Sequence, residues 1–137
     1  MQVASRPKQL NMKPAKTVEK RNDPLYNKSM LEMSVLLLPS QIGANGKTKE
    51  NIRDTIEYYI GGKCIIEGYV KPNSIQIQQY TNGIVKLDKI EFLVVFECLV
   101  CNPVEGMWLN DCKVKSVTKA GIHANKYDEQ NNLPVTV

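Results

Sequence analysis

The chain has 137 residues, room for one ordinary domain or two small ones around a modest core. Hydrophobic residues make up 42% and charged residues 23%, a globular balance that argues against a wholly disordered protein. The net charge of +4 sits unevenly: residues 1–28 hold seven basic and two acidic groups, whereas the remainder nets −1. No apolar run is long enough to span a membrane, and the opening residues lack the pattern of a secretory signal, so an intracellular protein is expected.

Residues 1–28 include Pro7, Pro14 and Pro24 and show no apolar periodicity. Such a segment buries too little apolar surface to offset its ordering entropy, so a solvated, flexible leader is expected. The alternative is a basic arm that contacts nucleic acid. Ordered structure is expected from Met30, where Met30–Leu38 reads as a strand ended by Pro39. A glycine-containing loop, Gln41–Lys47, follows. Thr48 is then placed to cap a helix running to Ile60, with Ile52, Ile56, Tyr59 and Ile60 as one apolar stripe and Gly61-Gly62 as its end.

Lys63–Val70 and Asn73–Tyr80 read as strands separated by a turn at Lys71-Pro72; Ile75 and Ile77 alternate with Gln76 and Gln78. Asn82-Gly83 carries a turn signal. In the long strand that follows, Ile90, Phe92, Val94, Phe96 and Cys98 share one face, and Glu91, Leu93, Val95, Glu97 and Leu99 share the other. Two apolar faces suggest a helix on one side and a partner chain over part of the other. Asn102-Pro103 ends the strand. Met107–Val117, Gly121–Tyr127 and Leu133–Val137 then read as a second strand set. The expected class is α+β: a small N-terminal sheet with one packed helix over residues 29–102, followed by a separate strand set over 103–137, the two meeting near Pro103.

Cys98 and Cys101 form a C-x-x-C that invites a zinc or thiol–disulfide reading, and a zinc or redox protein is one rival function. Residues three apart on a strand point to opposite faces, so the two sulfurs are poorly placed for one ion. Cys64 and Cys112 stand alone and His123 is the single histidine. Four buried or isolated reduced thiols, with no metal and no cofactor, are the expectation. A glycine-rich phosphate loop and a nucleophile–base pair are both missing from the pattern, which disfavours an enzyme.

A resemblance emerges when several segments are taken together. Gly62-Lys63-Cys64, Glu67-Gly68-Tyr69-Val70, Leu36–Ser40, the run Ile90-x-Phe92-x-Val94-x-Phe96 with Pro103-x-x-Gly106, and Val114-x-x-Val117-Thr118-x-x-Gly121-Ile122-x-Ala124 carry it. Their order and spacing over residues 31–137 resemble the stalk subunit of multisubunit DNA-dependent RNA polymerases, the seventh subunit in eukaryotes and its archaeal counterpart, a divergent viral version included. The last segment is similar to the opening of an S1-type OB-fold. That barrel needs five strands, and about three can be laid out after Pro103, so either the chain continues beyond Val137, the favoured expectation, or a partner completes the barrel. Ile122 and His123 stand where many such domains have an aromatic.

The resemblance implies a non-catalytic subunit that docks on the polymerase core near the clamp, pairs with a smaller stalk partner (the fourth subunit in eukaryotes or its archaeal counterpart) and contacts nascent RNA at the site of transcription. Core docking would involve Ser40, Gln41 and Ile42 in the loop to Lys47, and Asn82, Gly83, Ile84 and Val85 at the turn. RNA contact would use Lys113, Lys115, Lys119, His123, Lys126 and Tyr127, since cations hold phosphates and flat rings hold bases. Lys113 and Lys115, two residues apart, are expected on one strand face, with Lys119 in the next turn and His123 beside them. Trp108 lies among these residues, either as a further base contact or packed in the barrel. The alternatives are an ordinary solvated lysine face and a free-standing OB-fold RNA-binding protein.

Overall fold

The computed structural model describes residues 24–43 and 46–137. Most of the basic leader therefore lies outside the described residues, as do positions 44 and 45 of the loop after Pro39. The described chain is α+β and mostly antiparallel sheet, with nine strands and one α-helix in two open sheets. No described helix is long and apolar enough to cross a membrane.

Strand β6 (Lys89–Cys101) organises the larger sheet. Along one edge it pairs with β1 (Asn27–Leu37), in register from Asn27 opposite Val100 to Leu37 opposite Ile90. Order thus begins earlier than Met30: Asn27 and Lys28 belong to β1, and Lys28 reaches Glu97 at 3.5 Å. The length of β6 decides this, because its last residues offer backbone partners that composition alone does not reveal. Along the other edge β6 pairs in turn with β3 (Gly68–Val70), β4 (Gln76–Tyr80) and β5 (Ile84–Lys86).

Two sequence expectations change here. Lys63–Val70 is not one strand but a tight hairpin of β2 (Cys64–Ile65) and β3, closed by Ile66 and Glu67. Gly68 has φ 133°, and a Cβ there would meet the Cys101 carbonyl, so only glycine fits the closing position. Asn82-Gly83 does not reverse the chain either. Strands β4 and β5 run in the same direction along one edge of β6, and the reversal comes at Leu87-Asp88, where Leu87 has φ 56°. Thr81 keeps the ladder continuous: its amide donates to the Leu93 carbonyl, and its Oγ1 accepts from the Leu93 amide, both at 3.0 Å. Gly83 is needed for close approach, since a Cβ there would collide with the Ile90 side chain.

Helix α1 (Thr48–Ile60) covers one face of this sheet. Its buried residues are Ile52 and Ile56, and Ile60 packs at the margin, as the apolar stripe requires. Thr48 is the first helical residue and provides no side-chain cap; the Lys47 carbonyl accepts from the Asn51 amide instead. Tyr59 leaves the stripe for solvent, where it meets Tyr58 edge-on at 5.5 Å. Gly61 and Gly62 end the helix, with Gly62 at φ 67°. The core beneath α1 comprises Val35, Leu37, Val70, Ile75, Ile77 and the even residues Phe92–Val100 of β6. Each fully buried aliphatic or aromatic side chain contributes about 1.5–3 kcal/mol.

The opposite face of the sheet carries Met30, Leu36, Ile84 and Leu93, all exposed, around Glu32 and Glu91. Glu91 accepts from Ser34 and pairs with Lys86. These contacts hold its carboxyl below the usual value.

The smaller sheet has the order β7 (Lys113–Thr118), β8 (Gly121–Lys126), β9 (Val135–Thr136). It is open rather than closed into a barrel. Residues 107–112, expected to start its first strand, are irregular. Val135 is the one buried residue in these three strands, while Val114, Val117 and Ile122 are exposed.

Candidate nucleic-acid interface and docking end

The residues expected to dock on a core gather at one end of the large sheet. Leu37 of β1 lies opposite Ile90, and the chain turns immediately through a single 3-10 turn at Pro39–Gln41. Gln41 is tied down twice: its side chain accepts from the Leu38 amide at 2.9 Å, and its carbonyl accepts from Asn51 Nδ2 of α1 at 2.6 Å. Ile42 packs against the core and Ser40 is exposed. On the other edge, Ile84 and Val85 pair with Glu91 and Ile90 at the same end. Asn82 and Gly83 sit one step back. Leu38, Ile84, Val85 and the fully exposed Leu87 (99%) form an apolar rim around this end. Leu87 escaped sequence reading because the reversal was expected five residues earlier.

The cationic residues lie at the far end of β6, some ten residues from Ile90, which is roughly 33 Å of strand. Lys113, Lys115 and Lys119 are all exposed, as is His123. They do not form the single row expected from spacing. A β-bulge between Val114 and Ser116 makes Lys115 the extra residue, so Ser116, not Lys115, stands opposite His123. The same bulge places Val114 and Val117 on one face with Ile122 and Ala124, which strict alternation would separate. Lys113 lies opposite Asn125, with its ammonium 5.3 Å above the Tyr127 ring. The Tyr127 hydroxyl accepts from Asn125 Nδ2 at 3.2 Å. Lys119 occupies the β7–β8 turn, and Thr118 Oγ1 donates to the Gly121 carbonyl beside it.

Lys126 leaves this group. It falls on the alternate face of β8 from His123, and its ammonium donates to the Asn110 carbonyl. There it borders a cleft of about 610 Å³ between the two sheets. Tyr26, Trp108 and Tyr127 supply rings to the wall; Lys71 and Lys126 supply cations; Asp111, Asp128 and Glu129 supply carboxylates. Lys71 holds its ammonium 5.2 Å above the Tyr26 ring. Trp108 is 44% exposed.

Asp128 fixes this junction. Its Oδ2 accepts from the Tyr26 hydroxyl at 2.7 Å and from Asn132 Nδ2 at 3.0 Å. Its Oδ1 accepts from the Gln130 and Asn132 amides at 2.9 and 2.8 Å. Burial works upward on this carboxyl, but the four donated hydrogen bonds outweigh it and hold it below the ordinary aspartate value. Tyr26 is raised by burial, then by the hydrogen bond and charge of Asp128, so its hydroxyl stays protonated and donating. Sequence reading placed Tyr26 in the leader and Lys71 in a turn. Nothing local marks either, because Tyr26 meets its partner 102 residues away.

The C-x-x-C pair is built into the sheet. Cys98 faces the core under α1, and Cys101, three residues on, is also buried. Burial pushes the Cys98 thiol up to about 11 and raises Cys101. Cys64 is exposed, and Cys112 donates its thiol to the Leu109 carbonyl at 3.6 Å. The four are free thiols, and no group of three metal-ligating side chains occurs among the described residues.

Comparisons with protein-family models, with curated proteins and with solved structures returned no match.

Proposed function

We propose that this chain is a non-catalytic stalk-type subunit of a multisubunit DNA-dependent RNA polymerase. It docks on the core through the Pro39–Ile42 and Ile84–Leu87 end, pairs with a smaller stalk partner, and contacts nascent RNA from the other end. The observation that carries the reading is this separation. Two segments about forty residues apart in sequence converge at one end of β6 on an apolar rim flanked by Lys86 and Lys89, while the β7–β8 hairpin with Lys113, Lys115 and Lys119 belongs to the sheet that meets the opposite end. A single subunit bridging a polymerase and its transcript needs two such contact regions, held apart by something stiff. A 13-residue strand paired on both edges supplies that stiffness.

Further support comes from the face of the large sheet away from α1, which none of the described residues covers and where the exposed Met30, Leu36 and Leu93 are suited to a partner chain. The β7–β9 sheet fits the opening of an S1-type barrel, since the apolar side of its hairpin (Val114, Val117, Ile122) has no cover among the described residues. His123, the single histidine, is exposed on β8 and opposite Ser116, an arrangement suited to contact rather than to an enclosed reaction.

The test is native purification of the tagged full chain from its source, followed by mass spectrometry. The large polymerase subunits are expected in the eluate, and Val85→Asp with Leu87→Asp should remove them. An eluate without polymerase subunits, from a chain that binds RNA by itself, would sink the stalk reading in favour of a free-standing RNA-binding protein.

A further inference from the structure

We infer that the cleft between the two sheets is a stacking pocket for one base of single-stranded RNA, with a preference for bases that carry an exocyclic amine. The inference rests on the RNA-contact reading above but moves the decisive contact away from Lys115 and Lys119 on the exposed hairpin. Tyr26, Trp108 and Tyr127 come from three remote parts of the chain and line one cleft. Its volume of about 610 Å³ lies in the range of small-molecule sites. Each tyrosine ring has an ammonium close above it: Lys71, in the cleft wall, at 5.2 Å from Tyr26, and Lys113, just outside the wall on β7, at 5.3 Å from Tyr127. A nucleotide presents the same pair, a flat base beside an anion, so a phosphate drawn to either lysine brings its base to a ring.

Single-stranded RNA is favoured over duplex because only an unpaired base offers its face and its edge together. The carboxylates set the preference. Asp128 is occupied by its four donors and serves the fold. Asp111 and Glu129 are exposed at the wall, and a carboxylate is a hydrogen-bond acceptor. Adenine, cytosine and guanine present an amino group to such acceptors; uracil has none, and its single edge donor, N3–H, lies between two carbonyl oxygens that a carboxylate repels. Lys115 and Lys119, exposed on the hairpin and outside the lining of this cleft, offer phosphate a charge but no acceptor that tells one base from another.

Trp108 is the only tryptophan in the chain, so its emission reports on the cleft. The full chain is titrated with end-labelled hexamers of adenylate, cytidylate and uridylate, following label anisotropy and tryptophan emission together. Emission should change in step with anisotropy, with the uridylate hexamer weakest. Tyr127→Leu should weaken binding about ten-fold, the loss of one stacked base, and Glu129→Gln should shrink the preference. Lys71→Ala should weaken all three hexamers and provides the same test if Tyr127→Leu does not fold. Lys115→Ala with Lys119→Ala should lower the salt dependence and leave the emission change in place. Anisotropy that rises with emission unmoved, and with Tyr127→Leu and Lys71→Ala binding as tightly as the parent, overturns the cleft and leaves the RNA reading standing. No rise in anisotropy for any hexamer overturns both.

Discussion

Replacing Tyr26 by phenylalanine isolates one contact that ties the two sheets together. The change keeps the ring beneath Lys71 and deletes only the hydroxyl that donates to Asp128 Oδ2 at 2.7 Å. Hydrogen bonds to charged acceptors contribute about 1.5–3 kcal/mol. Both groups are part-buried and Oδ2 keeps its bond from Asn132, so the low end applies, about 1.5 kcal/mol. For a chain of this size that corresponds to a fall in Tm of about 3–6 °C. The pH dependence follows from the depressed Asp128 carboxyl. A group lowered on folding adds stability that is full above its unfolded value, about 3.8, and is lost as pH falls through the folded value below it. The gap between the variant and its parent should therefore be constant from neutral pH down to about 4 and narrow below that. Thermal melts followed by far-ultraviolet circular dichroism, at neutral pH and in acid, read both quantities. A gap under about 1 °C at neutral pH, or one unchanged in strong acid, would refute the idea that a charge-assisted bond holds the junction.

Ile56→Ala, at a site with no exposure, should cost about 2–5 kcal/mol in chemical denaturation because α1 cannot collapse into the space left above the sheet. Gly68→Ala should destabilise by more than about 1 kcal/mol, since the backbone is at φ 133° and the new methyl meets the Cys101 carbonyl; an unchanged melt would show that the hairpin shifts freely. Thiol alkylation near pH 8 should label Cys64 first and spare Cys98, whose thiol is buried and raised to about 11, until the chain is unfolded. Leu87→Asp should alter stability by no more than about 0.5 kcal/mol while removing polymerase association, because the side chain is fully exposed.

The residues of α1 and β6 could be read from local pattern, since a helix and a half-buried strand repeat their apolar positions with fixed periods. Ile52 and Ile56 under the helix, Phe92 through Cys98 in alternation, and Ile75 with Ile77 all follow from those periods. The α+β order, the helix end at Gly61-Gly62 and the break after Cys101 were legible for the same reason. What tertiary structure decided is whatever depends on a distant partner. Asn82-Gly83 carries a reversal signal, yet β6 is long enough to pair β4 and β5 in line, so the chain runs straight and Leu87 becomes the tip. The bulge after Val114 moves Lys115 out of register because ladder partners, not sequence spacing, determine which side chains share a face. Tyr26 and Lys71 join Trp108 and Tyr127 only because β1 starts early enough to bring Tyr26 to Asp128, across 102 residues of chain. Periodicity describes how each element faces its own surroundings. A cleft between two sheets depends on where they meet, and that is set by contacts no local window contains.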